Sequence, residues 1–232
     1  MPARSAIITA ATLRFFRELK RHNRKEWMDA NRDRYRAEVV EPFRALLAAL
    51  APHAIELHPG FDISGRTGVN FSRINRDIRF SKDKTLYHTH MYLTFADPER
   101  KDSATTQLYA GISAEAVTAG FRAYFMGPLK KSPVRQMILP RVEGNPKWFS
   151  QQKKRLGRRY ESYWYSTEKG QWTKHEGWPF DPAEWQKLQG WVVRRKFPQS
   201  AATSPKFVPG IAQVFRDVYS LFPFVSSTTW KA

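Results

Sequence analysis

The sequence predicts an α+β fold in which N-terminal helices pack on an antiparallel sheet and further helices follow in the C-terminal half. Three observations lead to this prediction. Apolar residues recur at helical spacing through the first fifty positions, and their period changes to two from Val69 onward. Helical spacing returns near the C-terminus, between prolines. With 232 residues and 41% hydrophobic content, we expect a single domain over residues 1–232 with a substantial core.

The predicted N-terminal helices span about residues 12–52. Thr12 is a candidate cap for the first helix, and Asn23, with a glutamate three positions later, forms a candidate capping box for the second. Pro42 suits the first turn of a third helix, whose apolar residues recur at i, i+3, i+4 and i+7. Pro52 is expected to end that helix.

The predicted sheet core spans about residues 69–125. In its first strand Ile74, Ile78 and Phe80 share one face, which we expect to be buried, and charged residues share the other. A polar turn is expected at residues 81–85. Further strands are predicted near residues 88–95, 107–113 and 116–125. We expect the polar face of this sheet to carry the functional site.

The region from about residue 132 to residue 225 is predicted to hold helices and an aromatic-rich hairpin. A Gly-Pro pair at 127–128 breaks the chain before this region, and the Lys-Gly pair at 169–170 is the expected hairpin turn. Asp181 is expected to begin a short helix through a capping box. The last helix is expected to end at Pro223.

Composition excludes several classes of protein. The absence of cysteine excludes disulfides and thiolate chemistry, and no apolar run is long enough to span a membrane. The N-terminus does not resemble a signal peptide, so we expect a cytoplasmic protein. The sequence lacks the GxGxxG, GxxxxGK[ST], GxSxG and HExxH motifs, and no cofactor is predicted. The net charge of +18 favours anionic partners such as nucleic acid or phosphorylated molecules.

Residues 73–90, RINRDIRFSKDKTLYHTH, form the most distinctive segment. Its cationic residues are Arg73, Arg76, Arg79, Lys82 and Lys84. Arg76 falls on the expected buried face, where a guanidinium needs a partner. That partner is either a carboxylate of the N-terminal helices, such as Glu26 or Asp29, or the phosphate or carboxylate of a ligand. We therefore predict an anion-binding site formed by the five cationic residues; the alternative is a network of internal ion pairs.

The histidines of the same segment allow three interpretations. His88 and His90 could share a metal ion if Asp77 supplied a third ligand. Alternatively, His90, Tyr87 and Asp77 could form an acid–base group beside a bound anion. The simplest interpretation is a polar histidine bonded to its neighbours, and no metal site is predicted.

Two further basic runs lie close to aromatic residues in the C-terminal half. Basic side chains beside exposed rings can bind single-stranded nucleic acid, whereas buried rings only pack. We expect most of these rings to pack. The basic residues are Lys153, Lys154, Arg155, Arg158 and Arg159 in one run and Arg194, Arg195 and Lys196 in the other. The aromatic residues are Tyr160, Tyr163, Trp164, Tyr165 and Trp172.

Two segments carry a family resemblance. They are FFRELKRHNRKEWMDANRDRYRAEVVEPF, which begins at Phe15, and the block at residues 73–90. Together they resemble the domain of unknown function 2461 family, which shares the pattern R-I-x-R-D-x-R-F-S-K-D-K-T-x-Y-x-T-H. The resemblance is strongest from about Phe15 to Phe95 and implies an α+β architecture without an established activity. It also disfavours a metal site, because the family usually has lysine at position 88.

The function predicted from these observations is binding of an anionic, phosphate-bearing ligand, with nucleic acid as the first candidate. One alternative is an enzyme that acts on a small phosphorylated or carboxylated substrate, with His90 or Asp77 transferring protons and Tyr87 lining the pocket. Another is a protein-interaction module for an acidic partner. The residues leave open whether the protein is an enzyme and which oligomeric state it adopts.

Overall fold

The structure is a computed structural model that describes residues 6–99, 104–125, 133–227 and 229–232. Its helices are α1 (Ala10–Arg21), α2 (Lys25–Ala30), α3 (Arg32–Tyr35), α4 (Glu41–Leu57), α5 (Pro133–Gly144), α6 (Pro146–Leu156), α7 (Pro182–Lys187), α8 (Gln199–Ala202), α9 (Phe207–Val218) and α10 (Leu221–Ser226), with a π-helical turn at Arg36–Val40 between α3 and α4. Its strands are β1 (His90–Phe95), β2 (Ala104–Ser113), β3 (Val117–Phe125), β4 (Glu161–Glu168), β5 (Gln171–Glu176) and β6 (Leu188–Phe197).

The strands form one antiparallel sheet in the order β1-β2-β3-β6-β4-β5. The α+β prediction is confirmed, with helices at the N-terminus and in the C-terminal half. Lys169 and Gly170 have φ angles of 49° and 75°, as the predicted two-residue hairpin turn between β4 and β5 requires. Asp181 and Glu184 make the predicted capping box of α7. The predicted break at residues 127–128 lies outside the described residues.

The chain divides into two compact units. The first consists of Met1–Phe95, Ala110–Thr118 and Phe197–Ala212, and the second of Ala96–Tyr109, Ala119–Lys196 and Gln213–Ala232. In the first unit, α4 packs against β1, whose Met91, Leu93 and Phe95 are buried. In the second unit the indole of Trp191 is fully buried among aromatic rings. No helix in the described part of the chain is long and apolar enough to cross a membrane.

The stretch from α3 to α4 is one continuous helix with a wide turn in the middle. Pro42 has no N–H, so it cannot donate to the carbonyl of Glu38 four residues earlier. The buried Thr12 hydroxyl donates to that carbonyl at 2.6 Å instead. The missing donor at Pro42 accounts for the π-helical turn at Arg36–Val40.

Three predicted helix boundaries are wrong, each for a different physical reason. Thr12 does not cap α1, which begins at Ala10, because its hydroxyl is buried against the following helix. Pro52 does not end α4, because the buried side of that helix continues through Ala54. Pro223 lies in the first turn of α10, where its missing N–H costs nothing, and so it does not end the last helix.

Candidate functional site

The block predicted to bind anions forms an arm, residues 73–88, which Asn23 holds to the rest of the first unit. The Asn23 amide donates to the carbonyl of Tyr87 at 2.8 Å. Its oxygen accepts the backbone N–H groups of Leu86 at 3.0 Å and Tyr87 at 2.9 Å. The capping box predicted for Asn23 is therefore wrong; α2 begins after Arg24, and the asparagine side chain holds the arm instead. No local sequence pattern reveals this contact, because it joins residues more than sixty positions apart.

The arm has two parts: a base, where the backbones of its two ends are hydrogen-bonded to each other, and a loop. At the base, the Arg76 N–H donates to the Leu86 carbonyl at 2.9 Å and the His88 N–H donates to the Ile74 carbonyl at 2.8 Å. Apart from isolated bridges, of which Asn75–Tyr87 lies in the arm, the described part of the chain forms no regular strand before β1, so the strand predicted from Val69 through Phe80 is wrong. In the loop of the arm, side chains accept hydrogen bonds from backbone N–H groups, and such local bonds compete with strand pairing.

Two carboxylates of the arm each bond a nearby backbone N–H and an arginine. Asp77 accepts from the Arg79 N–H at 3.2 Å and from its guanidinium at 2.7 Å. Asp83 accepts from the Thr85 N–H at 2.9 Å and from the Arg76 guanidinium at 2.6 Å. The Arg79 side chain holds the pKa of Asp77 below its usual value, and the Thr85 bonds, followed by Arg76, lower the pKa of Asp83. Both carboxyl groups therefore stay ionised and are weak bases.

Arg76 is the most enclosed of the five cationic side chains. Its side chain is 20% exposed, and it donates to the Thr85 carbonyl at 3.1 Å as well as to the Thr85 hydroxyl and Asp83. The need for a partner is confirmed. The sequence left open two alternatives, an N-terminal carboxylate such as Glu26 or Asp29 and a ligand anion. In the structure the partner is instead Asp83, seven positions further along the arm.

The ion pairs divide the five cationic residues into two groups. Arg76 and Arg79 are neutralised by the arm's own aspartates. Within the described residues, Arg73, Lys82 and Lys84 make no ion pair, although Lys84 donates to the Ile78 carbonyl at 3.0 Å. Five positive charges against two negative ones leave the arm with a net charge of +3. That excess resides on three exposed side chains.

Phe80 lies in the loop of the arm and is 94% exposed. The Arg79 guanidinium lies 5.8 Å from the centre of its ring. The prediction that Phe80 faces the core is wrong, because the strand pattern on which it depends ends before residue 80. The flanking charges at Arg79 and Lys82 are the sequence signal that could have indicated an exposed ring.

The histidines lie at the base of the arm and the start of β1. The ring centres of His88 and His90 are 4.9 Å apart, and His90 lies the same distance from Tyr92. Burial, and then the charge of Arg76, lowers the pKa of His88. Among the described residues no three His, Cys, Asp or Glu side chains form a group that could hold a metal ion, so Asp77 does not complete a site with the histidines. Tyr87 is buried and belongs to the attachment of the arm.

The aromatic residues of the second unit mostly pack, whereas the basic residues of the first run are exposed. The exposed residues are Lys153, Lys154, Arg155, Arg158 and Arg159. Arg194 donates to Glu161 at 2.9 Å and to the Tyr163 hydroxyl at 3.0 Å, and Lys196 lies 2.8 Å from the same glutamate. The ring of Trp164 is buried. Trp172, at 58% exposure, is the exception. The expectation that most of these rings pack is confirmed.

Comparison with known proteins identifies the family. No curated protein matches the chain. Residues 11–224 match the family described as "Conserved hypothetical protein (DUF2461)", which covers nearly the whole chain and includes both segments that carried the resemblance. The chain therefore belongs to the DUF2461 family.

Proposed function

We propose that the protein binds single-stranded nucleic acid through the arm, with Phe80 stacking on an unpaired base. The observation that carries this proposal is the position of Phe80, whose ring is 94% exposed in a loop with net positive charge. Burying a phenylalanine stabilises a fold by about 1.5–3 kcal/mol, and a ring left in water contributes none of this. The free energy of burying this ring is therefore available to ligand binding instead.

The charges around Phe80 suit a phosphate backbone. Arg73, Lys82 and Lys84 make no ion pair among the described residues, so they can contact phosphates without first breaking one; Lys84 would exchange its bond to the Ile78 carbonyl for a phosphate. Arg79 is exposed beside the ring and adds a guanidinium face on which a second base can stack. The backbone hydrogen bonds where the arm begins and the Asn23 bonds fix the direction of the loop. This lowers the entropy lost on binding.

Single strands fit the arm better than duplexes. The face of a base is accessible to a phenylalanine ring only when the base is unstacked. An aromatic ring stacks on any base, so the arm would bind with little sequence preference. The low pKa of Asp77 gives no support to the alternative in which this carboxylate accepts a proton from a small substrate.

The test is fluorescence anisotropy of labelled single-stranded DNA, single-stranded RNA and duplex DNA over a series of salt concentrations. Three phosphate contacts predict a slope of about −2 in log K against log salt, at about 0.7 per contact for single strands. Phe80→Ala should weaken single-strand binding about 5- to 150-fold, the equivalent of the roughly 1–3 kcal/mol of one stacked base. Phe80→Trp should retain it.

Matched variants separate specific contacts from total charge. Lys82→Ala with Lys84→Ala removes two charges from the arm, and Lys147→Ala with Lys206→Ala removes two exposed charges elsewhere. The arm variant should lose affinity and reduce the salt slope, whereas the control should change both much less. Equal losses in the two variants, or wild-type binding by Phe80→Ala, would refute the proposal. Salt-insensitive binding of a phosphorylated metabolite in place of nucleic acid would favour the small-substrate alternative.

A further inference from the structure

A second basic region lies in the first unit, in the helix that carries the π-helical turn. A pocket of about 240 Å³ opens there. Its lining residues are Arg32, Tyr35, Arg36, Val40, Glu41 and Arg44. None of them belongs to the arm. Three arginines therefore line one small concave site.

The π-helical turn explains why the three arginines share a side of the helix. Arg36 follows Arg32 by four residues, which is a rotation of about 40° at 100° per residue. In an uninterrupted α-helix Arg44 would lie about 120° from Arg32. A π-helical turn accommodates one extra residue, and this reduces the angle to about 20°. The turn caused by Pro42 therefore aligns side chains that the sequence spacing alone would separate.

The charges in the pocket are only partly compensated. Arg44 lies 3.2 Å from Glu41, and Arg32 lies 3.3 Å from Asp29, which Lys25 also contacts. Within the described part of the chain, Arg36 makes no ion pair. Three arginines against one glutamate give the lining a net charge of +2. This matches the charge of a phosphate dianion.

The remaining lining residues fit a phosphate group as well. Tyr35 also lines the pocket, and its hydroxyl is a hydrogen-bond donor at neutral pH. One guanidinium group can donate two parallel hydrogen bonds to two oxygens of a phosphate. Arginine is therefore well suited to binding this ion. The volume of about 240 Å³ is sufficient for one phosphate group.

We propose that this pocket binds a phosphate dianion, either free or as the terminal group of a small phosphomonoester. Arg36 is its central ligand, with Arg32 and Arg44 at the sides. Glu41 competes with the anion for Arg44, so the bound state requires this carboxylate to turn away. The site is independent of the arm and of its proposed ligand.

Calorimetric titration with inorganic phosphate near pH 7.5, at constant ionic strength, tests the assignment. Arg36→Ala should weaken phosphate binding about 10-fold or more, because a charge-assisted contact is lost. Arg17→Ala, which removes an exposed arginine from α1, is the matched control and should bind like the wild type. Wild-type affinity in Arg36→Ala, or no saturable binding in the wild-type protein, would overturn the proposal.

A variant with the opposite effect makes the test sharper. Glu41→Gln removes the competing carboxylate and should tighten phosphate binding several-fold. Glu56→Gln makes the same charge change at an exposed position of α4 and should have little effect. Unchanged affinity in Glu41→Gln would contradict the proposed competition and therefore the site.

Two further titrations identify the source of the phosphate. Phenyl phosphate should bind at least as well as inorganic phosphate if the site takes a terminal group, and more weakly if it takes the free ion; both results support the site. A short oligonucleotide without a terminal phosphate should bind equally to wild type and Arg36→Ala. If Arg36→Ala instead loses oligonucleotide binding while inorganic phosphate does not bind the wild type, the pocket is a contact for nucleic acid and the small-phosphate assignment is wrong.

Discussion

The arm of the first unit and the aromatic cluster around Trp191 in the second unit use the same kinds of residue in opposite ways. In the cluster, Trp191 packs edge-on against Trp185 at 5.3 Å and Phe121 at 5.5 Å and is fully buried. In the arm, Phe80 is almost wholly exposed, and a cation, the Arg79 guanidinium, lies 5.8 Å from the centre of its ring. Aromatic residues beside basic ones therefore do not by themselves indicate a binding surface. Exposure decides which of the two roles the ring has.

The largest effect is expected in the cluster. Trp191→Ala should destabilise the protein by about 3–5 kcal/mol, because it removes a fully buried indole and leaves a cavity. Urea denaturation followed by circular dichroism measures the loss. Trp172→Ala, at an exposed position of the same unit, should stay within about 0.5 kcal/mol of the wild type. Similar losses in both variants would contradict the contrast between buried and exposed rings.

The next effect is expected at the attachment of the arm. Asn23→Ala removes three hydrogen bonds and leaves the Leu86 and Tyr87 backbone groups without them, so we expect a loss of about 1–3 kcal/mol. Hydrogen exchange should show faster exchange of those two amides. Asn23→Asp keeps the acceptor and should lose less. Unchanged protection of both amides in Asn23→Ala would show that the asparagine does not hold the arm.

A smaller effect concerns pH. Because burial lowers the pKa of His88, the unfolded chain binds a proton more readily than the folded protein does. The free energy of unfolding should therefore be unaffected by this group above its unfolded-state pKa of 6.5 and should fall as the pH decreases below that value through the folded-state pKa. His88→Gln should flatten the pH dependence of the melting temperature in this window. A curve as steep as that of the wild type would contradict the prediction.

The smallest effect is expected for the stability of Phe80→Ala. Its ring contributes almost no burial, so the free energy of unfolding should change by less than about 0.5 kcal/mol. Thermal denaturation measures this, beside the binding assay proposed for the same variant. A loss of more than about 1 kcal/mol would mean that the ring packs in solution, and the comparison with Trp191 would no longer hold.

Much of the fold could be predicted because it depends on local patterns. The alternation in β1, the capping box at Asp181 and the turn at Lys169-Gly170 were all predicted from neighbouring residues. Two of the predictions that were wrong concern residues whose partners are far away in sequence. Thr12 and Asn23 resemble helix caps, but distant backbone groups occupy their side chains.

In the candidate site, too, features that depend on neighbouring residues could be predicted and features that depend on the path of the chain could not. The sequence indicated the cationic residues of the arm and the need of Arg76 for a partner, because residue type and charge are local properties. It could not assign the partner, since Asp83 is reached only through the path of the loop.

The sequence by itself determined the family, the α+β class, the charge excess and the positions of most elements. Periodicity, turn residues and composition act over a few residues and need no knowledge of the rest of the chain. Only the tertiary structure decided that Phe80 is exposed, that Asn23 holds the arm and that three arginines share one pocket. Exposure and convergence depend on which distant segments cover a side chain, and in this protein one missing N–H at Pro42 was enough to realign a helix.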